Sequence, residues 1–222
     1  MIFRDRQDAG RQVANQLTSY ANRDDVTVLG IPRGGLSVAF EIAKALNAPL
    51  DIFLSRKLGV PGQEELAFGA IAAGGGRFLD KATIRATGVS DQQIETISRA
   101  VEETLQQRAS LYRGNRPPPN VQGRTVVLVD DGIATGASMY AAISALQQMQ
   151  PGKLIVAVPV APASTVHWLS RLVDEFVCLD TPEEFYAVGQ FYDNFMQVED
   201  HEVIDLLQRA EKSHDGNRAE AH

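Results

Sequence analysis

Apolar residues recur along this chain with two spacings, and the alternation between them lays out a series of helices and strands. A three-and-four spacing marks residues 9–20 and 36–46 as helices, whereas continuous apolar runs at 26–31 and 50–54 read as strands. The first run leads into the turn Pro32-Arg33-Gly34-Gly35. After the second, Ser55-Arg56-Lys57 is followed by Gly59-Val60-Pro61-Gly62-Gln63-Glu64-Glu65, whose glycines and proline predict a mobile loop, and 66–73 predicts a strand. Ile94, Ile97, Val101, Leu105 and Ala109 then share one face of a long amphipathic helix over 91–112. Ser90 or Asp91 can cap its start, and Gly114 with Pro117-Pro118-Pro119 prevents it from continuing.

Beyond the prolines the pattern becomes regular. The run Val126-Val127-Leu128-Val129, a loop, a helix reaching Met149 and a second apolar run at 154–160 suit strands covered on both faces, as in a parallel sheet flanked by helices. Residues 164–172 read as helix, 175–179 as strand and 202–209 as helix, and the polar residues 212–222 as a frayed tail. No internal repeat interrupts this order. The expectation is one α/β domain over 1–222, with 59–118 as a loop and helical insertion.

Composition narrows the function without naming it. Hydrophobic residues make up 44% and charged residues 22% of 222, the balance of an ordinary globular protein. A net charge of -7, from 21 basic and 28 acidic side chains, disfavours a nucleic-acid partner but leaves room for a small phosphorylated ligand held by local donors. One cysteine, Cys178, allows no intrachain disulfide. The opening Met1-Ile2-Phe3-Arg4-Asp5-Arg6 lacks a signal-peptide core, and no apolar run is long enough to span a bilayer, so a cytoplasmic protein without membrane contact is expected. His167, His201, His214 and His222 lack metal-ligand spacing, and neither they nor Trp168 are assigned catalytic work.

The segment richest in chemistry is Val126-Val127-Leu128-Val129-Asp130-Asp131-Gly132-Ile133-Ala134-Thr135-Gly136-Ala137-Ser138. An apolar strand ends here in two carboxylates and a small-residue turn at a helix start, where backbone donors and the Thr135 and Ser138 hydroxyls suit a phosphate. Two adjacent acids would repel that phosphate unless a neutral part of the ligand lay between, and sugar hydroxyls meet that need. An ordinary Asp-Gly turn is the plainer alternative. The missing Gly-Lys-Ser/Thr ending disfavours a Walker-type loop.

This segment resembles the 5-phosphoribosyl 1-diphosphate (PRPP) signature of type I phosphoribosyltransferases. The resemblance implies that Asp130 and Asp131 hold the ribose hydroxyls and that Ala134, Thr135, Gly136, Ala137 and Ser138 hold the 5-phosphate. Ile31-Pro32-Arg33-Gly34-Gly35 resembles the family's pyrophosphate loop, implying roles for Arg33, Gly34 and Gly35 and a cis bond at Pro32–Arg33, although Arg-Gly-Gly is also a common structural turn. Lys57 is a second candidate for the pyrophosphate, with a solvated Arg56-Lys57 pair as the alternative. Residues 59–66 resemble the loop that closes over PRPP, with Glu64 and Glu65 facing the site. The aromatic stretch from Pro182 to Asp193 is similar to a base-covering hood within 180–200, pointing to Phe185 or Tyr186 unless these rings simply pack in the core; Asp193 is a candidate metal contact.

One departure matters. Hypoxanthine-guanine transferases of this family carry an acid where Ala134 stands, whereas adenine and orotate transferases lack it, so the resemblance implies PRPP binding without that proton-handling group. From Phe3-Arg4-Asp5-Arg6 to Val198-Glu199-Asp200 the chain is similar to predicted bacterial phosphoribosyltransferases whose substrate is unassigned. The implied fold is the type I phosphoribosyltransferase fold, a mainly parallel sheet flanked by helices, with a hood and a flexible loop. The implied reaction moves a phosphoribosyl group from PRPP to a nitrogen nucleophile with Mg²⁺, releasing pyrophosphate; the alternative is a non-catalytic PRPP or nucleotide sensor. A small-molecule acceptor and a homo-oligomer are expected by the same analogy.

Overall fold

A computed structural model describes residues 1–114 and 116–220, with side chains up to 213. The chain divides into two compact units: one comprises 1–52, 119–136 and 151–222, the other 53–118 and 137–150.

The first unit is built on five parallel strands, β1 (Val26–Gly30), β2 (Leu50–Ile52), β6 (Thr125–Val129), β7 (Lys153–Val160) and β8 (Glu175–Asp180), in the order β2-β1-β6-β7-β8. Every residue of β1 and β6 is buried, which explains why both read as unbroken apolar runs rather than as an alternation. Val26 and Val28, Val127 and Val129, and Ile155 and Ala157 face α1 (Arg6–Ala14) and α2 (Gly34–Leu46), where they meet Val13, Val38, Ile42 and Leu46. Leu29, Leu128 and Val156, one step out of phase, are also fully covered. The order of the strands reverses between β1 and β6, and their register pairs Gly30 with Val129. The segments that follow the two strands therefore leave the sheet side by side, at the switch point where open α/β sheets take their ligands. Two further helices, α6 (Ala163–Leu169) and α7 (Asp200–Glu220), complete the unit, with α7 packed on α2 and β2.

The second unit holds an antiparallel sheet of β3 (Ser55–Val60), β4 (Gln63–Ala72) and β5 (Arg77–Leu79), with α3 (Lys81–Thr87), α4 (Asp91–Arg113) and α5 (Ala137–Gln147). Ser90 caps α4 in a capping box with Gln93, which settles the two candidate caps. Residues 59–66, expected as a mobile loop, lie at the end of the β3–β4 hairpin, which turns at Pro61-Gly62, where Gly62 supplies the positive φ of 78° that the tight connection requires. The tail expected to fray from 212 continues as α7 through Glu220, while 221 and 222 lie outside the described residues. Among the described residues no helix is long and apolar enough to cross a membrane.

Leu128 sits at the centre of the parallel sheet with no exposed surface. Leu128→Ala should lower unfolding stability by about 2–5 kcal/mol, read from chemical denaturation; a loss within about 0.5 kcal/mol, typical of surface substitutions, would contradict this packing.

Candidate functional site

Two loops meet at the switch point. Residues 31–35 follow β1, and their Pro32–Arg33 bond is cis, as the resemblance implied. The acid pair follows β6. The two segments touch so closely that side chains are excluded: a Cβ on Gly35 would lie 2.8 Å from Asp130 Cα, and one on Gly34 would lie 2.0 Å from Asp131 Oδ2. The glycines of the first loop are thus required by the carboxylates of the second. Arg33, at the start of α2, lies 3.7 Å from Glu199, a half-exposed pair of little energetic weight.

The carboxylates themselves have unequal surroundings. Asp130 Oδ1 accepts the Asp131 backbone N–H at 2.8 Å. Burial, and then the neighbouring Asp131 charge, push the Asp130 carboxyl well above its ordinary value, with Arg6 acting in the opposite sense. Asp131 has a cation of its own: Arg6 Nε donates to its Oδ2 at 2.7 Å, and both side chains are largely covered. The Tyr192 hydroxyl donates to the Asp131 carbonyl at 2.6 Å, and burial with the Asp131 charge raises that phenol, keeping it a donor.

The small-residue turn is held from α6. Thr165 Oγ1 donates to the Ala134 carbonyl at 3.0 Å, and the Ile133 N–H bonds to the Val160 carbonyl. Gly136 has φ 83°, and a Cβ there would lie 2.7 Å from the Trp168 ring and 2.9 Å from the Thr165 methyl. Ala134 and Thr135 are exposed on this turn, and Ala137 and Ser138, also exposed, open α5. Backbone donors on an exposed turn backed by a rigid wall can receive a phosphate.

The aromatic stretch separates into two roles. Phe185 packs on Phe191 with ring centroids 5.1 Å apart, so its ring is committed to the cluster around Phe3 and Tyr192. Tyr186 is 83% exposed, and its backbone is fixed by Gln190, whose Oε1 accepts the N–H groups of Tyr186 and Ala187. Asp193 is exposed and donates its backbone N–H to Phe3. Among the described residues no group of three or more His, Cys, Asp or Glu could cage a metal ion. In the second unit, Lys57 Nζ pairs with Glu65 at 2.9 Å, Arg56 is exposed, and Glu64 Oε1 accepts the Gly62 N–H. Sequence reasoning missed Arg6, Thr165 and Tyr192. Arg6 stands in the quoted opening Phe3-Arg4-Asp5-Arg6, but nothing in the sequence links position 6 to position 131.

The family described as phosphoribosyl transferase domain matches residues 3–193. Two curated Mycobacterium tuberculosis relatives, from strains CDC 1551 and H37Rv and named as phosphoribosyl transferases, are 46% identical over 211 residues; the match covers 95% of this chain and 47% of each relative. The chain thus spans about half the length of the curated relatives it matches. A crystal structure from Thermus thermophilus is 42% identical with a TM-score of 0.85, covering 94% of this chain and 99% of the other. A structure from Aquifex aeolicus, 12% identical with a TM-score of 0.50 over 91% of this chain and 84% of the other, shares the fold alone.

The uneven acid pair gives a stability prediction. Below the ordinary carboxylate value of 3.8, Asp130 is neutral in both folded and unfolded chains. Above it the unfolded chain ionises first, the folded chain binds more protons, and stability falls as pH rises toward the raised folded value. Asp130→Asn keeps the acceptor for the Asp131 N–H and removes this penalty. The ligand-free variant should melt above wild type at about pH 7.5, with the gap closing toward about pH 4; equal thermal midpoints at the higher pH would refute the assigned burial.

Proposed function

Since the chain belongs to the phosphoribosyl transferase domain family, we propose that it transfers the phosphoribosyl group of PRPP to a nitrogen nucleophile such as a nucleobase and releases pyrophosphate. The observation that carries this reading is the contact of the Gly34-Gly35 loop with the Asp130-Asp131 pair at the β1–β6 switch point. It offers an anion loop, a diol-binding acid pair and a phosphate turn in the order in which diphosphate, ribose and 5-phosphate follow one another along PRPP.

In this mechanism the turn from Ala134 to Ser138 grips the 5-phosphate with backbone N–H groups, and Thr165 and Trp168 keep the turn from yielding. Asp130 and Asp131 accept hydrogen bonds from the ribose hydroxyls. Those donors oppose the desolvation that raises the Asp130 carboxyl, so binding the sugar and ionising the pair favour each other. Arg33 and the N–H groups of Gly34 and Gly35 take the charge that develops on the departing diphosphate. Tyr186 offers an exposed ring for an acceptor base. Carboxylate oxygens suit Mg²⁺, and Asp130 and Asp131 are the residues that would hold it together with the oxygens of PRPP. Bound there beside Asp130 and Asp131, Mg²⁺ would draw charge from the leaving diphosphate.

A second reading, a PRPP or nucleotide sensor without turnover, is favoured by one observation: Ala134 is exposed on the turn and offers no carboxyl to take the proton of an acceptor. The two readings differ in pyrophosphate. Wild type with Mg-PRPP and a panel of nitrogen nucleophiles should release it with at least one acceptor, and Asp130→Asn with Asp131→Asn should lower kcat/KM by about 10²-fold or more. Calorimetric binding without release across the panel would favour the sensor; unchanged turnover in the double variant would sink the assignment of the acids.

A further inference from the structure

One side chain touches three parts of this site and has no assigned role. Arg6 is the first residue of α1, and the chain just before it is fixed against the hood: the Phe3 N–H donates to Phe191, the Phe3 carbonyl accepts from Asp193, and the Arg4 carbonyl accepts from Asn194. From that anchor the Arg6 guanidinium reaches Asp131 through Nε at 2.7 Å and the Met196 carbonyl through Nη1 at 2.8 Å. Its carbon lies 3.8 Å from the centroid of the Phe195 ring. Phe195 in turn stacks on Tyr192 at 4.9 Å, and the Tyr192 hydroxyl returns to the Asp131 backbone. A Cβ on Gly34 would lie only 2.8 Å from Arg6 Nε, so the diphosphate loop packs directly on the same ion pair.

We infer that Arg6 is a positioning residue for PRPP: acting through Asp131, it fixes the acid pair in the orientation that receives the ribose diol and ties the 192–196 segment to that orientation. The inference rests on the PRPP reading above. Its physical basis is the geometry of guanidinium. A planar fork can bond a carboxylate along one edge and a carbonyl along another while one face lies on an aromatic ring, whereas an ammonium is a single compact charge that cannot satisfy all three at once. Asp131 without its cation would stand as an uncompensated charge next to Asp130, and the two carboxylates would move apart instead of presenting a fixed pair of acceptors. A purely structural ion pair would behave differently: its loss would lower the melting temperature and leave the affinity for PRPP alone.

The test compares wild type, Arg6→Gln, Arg6→Lys, Asp131→Asn and the Arg6→Gln/Asp131→Asn double variant by calorimetric titration with Mg-PRPP, with thermal melts and, where turnover is present, KM and kcat for PRPP. Arg6→Gln should weaken PRPP binding about tenfold or more, as expected for a lost hydrogen bond to a charged group. Arg6→Lys should fall between it and wild type, and the double variant should bind no worse than the weaker single one, because both substitutions remove the same interaction. The loss should appear in KM for PRPP more than in kcat. Wild-type affinity in Arg6→Gln with a lowered melting point, or fully multiplicative losses in the double variant, would overturn the inference and leave the PRPP reading standing. Should Arg6→Gln fail to fold, Arg6→Lys decides: wild-type affinity in it overturns the inference too. A wild type that does not bind Mg-PRPP overturns the reading and the inference together.

Discussion

Two adjacent carboxyls at the end of a buried strand repel each other, and the surroundings of this site are arranged around that repulsion. Left alone, such a pair would recover by protonation or by swinging into solvent. Here one acid is given a cation and a bonded backbone, through Arg6 and Tyr192, while the other keeps its unfavourable desolvation. The glycines of the facing loop, the N-terminal anchor at Phe3 and the stacked rings at 192 and 195 all follow from holding these two groups side by side. Stability is given up locally at the place where the PRPP reading puts the ribose.

The parallel sheet supplies what the acids cannot, which is position. Because β1 and β6 are neighbours in register, the two ligand loops need no long excursions to meet, and both begin from fully buried backbone. The phosphate turn gains its rigidity differently, from a threonine hydroxyl and an indole on the short helix α6. Rigid backing on both sides of the site is what the proposed placement of a sugar between two phosphate groups requires.

Strands and their chemistry were legible because burial writes directly onto sequence. Val126-Val127-Leu128-Val129 followed by Asp130-Asp131 reads as an interior strand that ends in something polar, although the contacts that make Gly136 a glycine, with Trp168 and Thr165, are not visible in the sequence. The helix of 91–112 was equally clear, since one apolar stripe and a capping serine define it locally. Less legible were features that depend on distant partners. Residues 59–66 carry the glycine and proline of a loop, yet cross-strand pairing with β3 turns them into a hairpin. Phe185 and Tyr186 are neighbours of similar chemistry, and only the ring of Phe191 separates a packed side chain from an exposed one. Arg6 was hidden for the same reason: 125 residues separate it from Asp131.

The way the chain is divided also bears on how the protein is made. It leaves the first unit after Ile52, returns at Pro119, and places β6 next to β1 only then. During synthesis the edge of β1 that will receive β6 has no partner until the whole stretch from Phe53 to Pro118 has emerged. An apolar strand with an open edge is a template for wrong pairings. The β1–β6 seam therefore stands open in the nascent chain for longer than the seam between β1 and β2, and β6 in turn waits for β7 to cover its other edge.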